Sequence, residues 1–179
     1  VVSSDAVAVV DGIGYTDLAT AIAAADDGDT VTLLANVPED VVIPADADLT
    51  LDLNGFTLTN VSDHTITNNG TLTIVGNGTV DNITHAHAAI MNNGTMTING
   101  GTFTRSLETQ DYVDDGDDNS WYTVVNKGIM TINDGTFTTA DGQPANLGNR
   151  SSLIRNGDAT DNSNVSLNIN GGTFTSGAN

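Results

Sequence analysis

The side chains best able to do chemistry in this sequence are its carboxylates, and they are densest between positions 111 and 119. Asp111, Asp114, Asp115, Asp117 and Asp118 fall within one short segment that also holds Gly116 and Asn119. Calcium takes about six to eight oxygen ligands, and such a loop could supply several of them. The segment lacks the alternating spacing and terminal Glu of an EF-hand, so the competing reading is a solvated acidic loop. Calcium is the one cofactor this sequence suggests. Trp121, the only Trp, stands beside Tyr122 and follows Tyr112 in the same stretch. Tyr112, Trp121 and Tyr122 are therefore candidates for stacking on a sugar or contacting a partner, and otherwise pin a long loop to the protein wall.

Other constellations are thinner. His64, His85 and His87 read as one repeat apart, with His85 and His87 on a shared strand face. Three imidazoles so placed suit Zn²⁺ or Cu²⁺, yet no carboxylate is clearly positioned to orient them, which favours surface or turn roles. Asp52 and Asp81 read as outward-facing and could be neighbours, although an isolated outward Asp is usually part of a solvated face. The cations are Arg105, Lys127, Arg150 and Arg155. Neither a convergent acid–base set nor a nucleophile with its base can be assembled from these residues, so the reading is not an enzyme.

Charge narrows the partners. Against 23 acidic residues stand 4 basic ones, a formal net charge of −19. That excess disfavours nucleic acid and anionic membrane surfaces. No run of about 18 apolar residues occurs, so the sequence predicts no membrane insertion. Cys is absent, and with it any disulfide. The chain starts at Val1 without a signal-peptide pattern, which reads as a piece of a longer precursor or a cloning artefact.

The elements that position these groups come from a repeat. Ile66-Thr67-Asn68-Asn69-Gly70-Thr71-Leu72-Thr73-Ile74 returns as Ile90-Met91-Asn92-Asn93-Gly94-Thr95-Met96-Thr97-Ile98. It returns again as Val124-Val125-Asn126-Lys127-Gly128-Ile129-Met130-Thr131-Ile132, and in split form from Ile154 to Ile169. A glycine turn and a second strand follow each copy: Gly78-Thr79-Val80-Asp81, Gly101-Thr102-Phe103-Thr104, Gly135-Thr136-Phe137-Thr138 and Gly172-Thr173-Phe174-Thr175. The basic period is about 23 residues, the mark of stacked repeat units. Longer intervals carry loop insertions near 105–121, 139–151 and 157–165.

Strand periodicity places three apolar columns inward: Leu72/Met96/Met130/Leu167, Ile74/Ile98/Ile132/Ile169 and Val80/Phe103/Phe137/Phe174. Leu51, Leu53 and Leu58 fit the same frame, and Val31 and Leu33 open the first unit. The sequence thus predicts an all-β fold, a right-handed single-stranded parallel β-helix (solenoid) of about six rungs over 30–179. At roughly 4.8 Å per rung the stack is about 30 Å long. Residues 1–29 supply a strand and a capping helix over Tyr15–Ala25, where Leu18 and Ile22 have helical spacing. Outward Thr-x-Thr pairs recur, a pattern also used by ice-binding solenoids, though Thr is simply a good exposed strand residue. Asn-x-Ser/Thr sequons at Asn60, Asn69, Asn77, Asn82, Asn93, Asn149 and Asn164 are explained without sugar by stacked, mutually hydrogen-bonded Asn.

The segment from Tyr15 to Leu33, with its helix ending in Gly28-Asp29-Thr30-Val31, resembles the opening of the pectin-lyase-like right-handed parallel β-helix superfamily. Leu49–Leu58 and the Gly-Thr-Phe-Thr units are similar to repeat regions of Gram-positive bacterial surface proteins and of some phage fibres. The resemblance implies the fold across residues 13–179 and leaves function open, because this scaffold carries lyases, hydrolases, adhesins and spikes. A lyase would need a cationic base beside calcium-binding carboxylates, a hydrolase a carboxylate pair at fixed distance. None of the four cations sits in such a motif. The leading expectation is a non-catalytic extracellular attachment module, an adhesin-like stalk that binds a host-surface or cell-envelope protein or glycan through its loops. The alternatives are a phage head or tail fibre or spike, trimeric if so, on a virion surface, and a carbohydrate-active lyase or hydrolase.

Overall fold

The computed structural model describes residues 2–107, 122–139, 153–158 and 162–176. Within them the chain is mostly β, with one short helix and two sheets dominated by parallel pairing. Successive repeats contribute strands to three files. The first file contains Thr30–Leu33, Asp48–Asp52, Thr71–Val75, the leading halves of Thr95–Arg105 and Ile129–Thr139, and Ser166–Ile169. The second contains Val37–Pro38, Thr57–Thr59, Thr79–Asp81, the trailing halves of the same two long strands, and Thr173–Thr175. These two files, together with the two strands Ala8–Val10 and Ile13–Tyr15, form one sheet of 12 strands. The third file is a separate sheet of 5 strands: Val41–Ile43, Ile66–Asn68, Ile90–Asn92, Val124–Asn126 and Ile154–Asn156.

Register follows the sequence columns. Leu72 pairs with Met96, Met96 with Met130 and Met130 with Leu167; Ile74, Ile98, Ile132 and Ile169 align beside them. Val80, Phe103, Phe137 and Phe174 align in the second file. The Phe103, Phe137 and Phe174 rings stack with centroids 4.9 Å apart at each step. Side chains alternate across each strand, so every second residue enters one continuous aliphatic core. Columns of like residues let equal shapes meet at the strand spacing, which keeps packing dense. In the final repeat the register persists while Ile169 and Phe174 are partly exposed.

Two backbone devices make the repeat possible. The first file turns into the second at Gly101 and Gly135, whose φ of +94° and +126° would strain any residue bearing a Cβ. Ahead of the first file, Gly94 lies so close to the Gly70 carbonyl oxygen that a Cβ there would overlap backbone.

The N-terminal end departs from expectation. Helix α1 spans only Leu18–Ala24, and an antiparallel hairpin of β1 (Ala8–Val10) and β2 (Ile13–Tyr15) pairs with Thr30–Leu33 beside it. The hairpin turns on Asp11 and Gly12, at φ of 48° and 75°, the two-residue turn that suits strand twist. Asp17 caps the helix by accepting the Thr20 amide at 2.7 Å, and hydrogen bonding from the Thr20 side chain, then from its amide, lowers the Asp17 carboxyl pKa. Glu39 accepts the Leu18 and Ala19 amides, satisfying two more donors at the helix start.

Candidate functional site

The expected calcium ligands Asp111, Asp114, Asp115, Asp117 and Asp118 lie outside the described residues, as do Tyr112 and Trp121. Tyr122 is described. It is half-buried, and the Arg155 guanidinium sits over its ring 5.7 Å from the centroid. This contact at an edge of the smaller sheet occupies one face of the ring. Among the described residues no group of three or more imidazole and carboxylate side chains is arranged to hold a metal ion.

The histidines do not lie on a strand face. His85, Ala86 and His87 form the turn between Thr79–Asp81 and Ile90–Asn92, and Ala86 takes φ of 60°. The His64 and His87 rings meet edge to face at 5.1 Å, and His87 Nε2 lies 3.6 Å from an Asp63 oxygen. The Ala88 amide donates to His64 Nδ1 at 2.8 Å, and His87 Nδ1 donates to the His85 carbonyl at 2.7 Å. Both Nδ1 atoms are thus committed to backbone. Burial moves the His64 pKa below its ordinary value, with the His87 and Lys127 charges acting in the same direction and Asp63 against them.

Nor are Asp52 and Asp81 neighbours. Asp52 belongs to the first file beside Thr32 and Val75 and accepts the Asn54 amide at 2.9 Å. Asp81 belongs to the second file beside Thr59 and Thr104 and accepts the Ser106 amide at 2.9 Å as well as its hydroxyl. Asp40 has a similar role at the neighbouring corner. Burial pushes its carboxyl up, and donors from Val61, Asp63 and Ser62 outweigh that and leave it below the ordinary value. These carboxylates are tied to the amides of following turns, a structural use of acidity.

Arg105 is fully buried, the largest such side chain among the described residues. It ends its strand two positions past Phe103, on the inward parity, and its Nη2 donates to the Thr84 carbonyl at 3.0 Å. Asn60, Asn82 and Thr139 are buried at equivalent places in other repeats, so one corner of the interior is polar throughout. Asn82 Nδ2 alone reaches the carbonyls of Asp63 and Ala88 and the Thr65 hydroxyl. The apolar-column reading missed this corner. Its signal was present in the spacing, since Leu58, Val80, Phe103 and Phe137 are each followed two residues on by a polar residue. Burial also removes Asn60 and Asn82 from use as glycosylation acceptors.

Asparagine does form the expected ladders. Asn68 Nδ2 donates to Asn92 Oδ1 at 2.8 Å, Asn92 to Asn126 at 2.7 Å and Asn126 to Asn156 at 2.7 Å. On the outside, Asn93 donates to Asn69, and Asn170 and Asn133 continue a ladder to Asn99. Beside that outer ladder the glycine bend is concave and forms an open groove of about 460 Å³, whose lining includes Asn99, Thr102, Asp134, Thr136 and Thr173. Thr57, Thr79, Thr102, Thr136 and Thr173 are aligned along one side. The surface here offers amides and hydroxyls at the strand spacing, with Asp134 the single charged group in the groove lining.

Comparison of the chain with protein families, with characterised proteins and with solved structures returns no match.

Proposed function

We propose that this chain is a right-handed parallel β-helix of the pectin-lyase-like kind, serving outside the cell as a surface or attachment module rather than as an enzyme. The observation that carries the reading is the regular outer wall. Successive repeats pair in parallel, and their outward positions form columns of Thr and Asn beside a shallow groove. Neutral hydrogen-bonding groups repeated at fixed spacing suit adhesion to an extended partner, a host-surface or cell-envelope glycan or protein. Acid–base chemistry requires convergent groups with free protonation sites. Asp52 and Asp81 stand in different files; Asp52 accepts the Asn54 amide of its own turn, and Asp81 accepts the Ser106 amide of the next repeat.

Immobilised protein is probed with a panel of cell-envelope and host-surface glycans and with intact cells, alongside an assay for unsaturated and reducing ends released from polygalacturonate. Binding to at least one surface without cleavage supports an attachment module. Release of such ends, abolished by Asp81→Asn or Asp134→Asn, overturns it.

A further inference from the structure

We infer that His64 is an acid-labile latch for the corner joining Thr79–Asp81 to Ile90–Asn92: a proton on its Nδ1 releases the Ala88 amide and loosens the turn. The argument begins with donor and acceptor roles. Ala88 N–H donates to His64 Nδ1 at 2.8 Å, so this nitrogen carries a lone pair and the ring is neutral. Protonation turns Nδ1 into a donor facing a donor, and the bond is lost.

Ala88 is a junction between repeats. Its carbonyl accepts the Thr65 amide at 3.1 Å and Asn82 Nδ2 at 3.1 Å, while its amide is held by His64 of the preceding repeat. Between Asn82 and Ala88, residues 83–87 are none of them fully buried, so hydrogen bonds rather than packing hold the turn. Ala86 adds strain, because a side chain at φ of 60° is disfavoured. A turn with little buried apolar surface and one strained residue belongs to the low-stability end of a fold.

The charged surroundings sharpen the response. His87, at 5.1 Å, donates from Nδ1 to the His85 carbonyl and turns Nε2 toward Asp63 at 3.6 Å. A positive charge on His87 opposes charging of His64. Lys127 acts in the same sense, and among the charged groups only Asp63 favours a charged His64. Half-burial of the ring is the largest influence, and it lowers the folded-state pKa below the ordinary 6.5. A lowered folded pKa means the unfolded chain binds the proton more tightly. The latch therefore contributes its stability above pH 6.5 and loses it as pH falls through the lower folded value.

The test is hydrogen exchange at the Ala88 amide, followed by NMR together with the His64 ring nitrogens from about pH 7.5 to about pH 5. After correction for intrinsic exchange, Ala88 protection should fall by up to about tenfold per unit of pH between 6.5 and the lower folded value of His64. The Ile98 amide should keep its protection. His64→Asn keeps an acceptor oxygen near the Nδ1 position without a titrating ring, and should give a flat Ala88 profile. His87→Gln should retain the transition and move it to higher pH. Constant Ala88 protection in the unaltered protein while the His64 ring takes its proton would overturn the proposal, even if neither variant folds. An equal loss of protection in His64→Asn would do the same.

Discussion

Replacing Asn92 by Asp changes one nitrogen into one oxygen at the centre of the inward amide ladder. Asn92 Nδ2 donates to Asn126 Oδ1 at 2.7 Å, to the Ile129 carbonyl at 3.1 Å and to the Gly94 carbonyl at 3.2 Å. A carboxylate oxygen at that place faces three acceptors. Two protons serve these three contacts, each hydrogen bond is worth about 1 kcal/mol net, and the buried charge adds its own desolvation. The expected cost is about 3–5 kcal/mol at pH 7. Asn93→Asp is the control. Asn93 is adjacent, exposed and bonded to Asn69 at 2.9 Å, and it adds the same charge, so its cost should be about 0.5 kcal/mol. The substituted carboxyl at 92 has its folded pKa raised by burial and by the surrounding acceptors. Its penalty is therefore greatest above that raised value and shrinks as pH falls through it toward the ordinary carboxyl range. Urea unfolding of both variants and of the unaltered chain at about pH 7 and about pH 5 reads these differences through the midpoint and slope. Equal losses at 92 and 93, or a loss at 92 below about 1 kcal/mol, would refute the ladder argument.

Further outcomes follow from the same geometry. Gly94→Ala drives a Cβ into the Gly70 carbonyl oxygen and the Asn69 backbone, and should cost about 2–3 kcal/mol in chemical denaturation. Ala86→Gly relieves a left-handed residue and should raise stability by about 0.5–1 kcal/mol, seen as a higher melting temperature. Ile98→Asp places an unpaired charge at a fully buried position and should abolish cooperative unfolding, whereas Thr97→Asp beside it should be nearly silent. Similar losses at 97 and 98, read by circular dichroism during thermal melts, would contradict the assignment of inner and outer faces.

What the sequence disclosed depended on how each feature was encoded. The three apolar columns were legible because Leu or Met, Ile and Phe return at one spacing, and alternation then fixes which side faces in. The inner asparagine ladder was legible for the same reason, since Asn68, Asn92 and Asn126 occupy one place in each copy. The polar corner was not, because Asn60, Asn82, Arg105 and Thr139 share a position but not one residue type. A column is recognised by likeness, and here only hydrogen-bonding capacity is shared. The N-terminal hairpin had a readable signal in Asp11-Gly12 between two short apolar runs, masked by the helical spacing that follows. The histidine turn had none. Ala86 adopts a conformation its side chain disfavours and breaks the strand, whereas strand periodicity places His85 and His87 on one face. At the candidate site, Tyr122 was expected to contact a partner or pin a loop, and its partner Arg155 comes from a repeat whose position no local motif announces.

The claim beneath the whole account is that successive repeats lie in parallel, in register, one strand spacing apart. The absence of Cys allows two spin labels to be placed without background, at Thr50→Cys and Thr131→Cys. Thr50 pairs with Thr73, Thr73 with Thr97 and Thr97 with Thr131, so three strand steps separate the labelled sites on one outward column. At about 4.8 Å per step the backbone separation is about 14 Å, within reach of dipolar broadening. A single narrow distance distribution centred near that value, with allowance for the label arms, is the predicted result. A broad distribution, or one centred beyond about 25 Å, would contradict parallel in-register stacking and the attachment scaffold built on it.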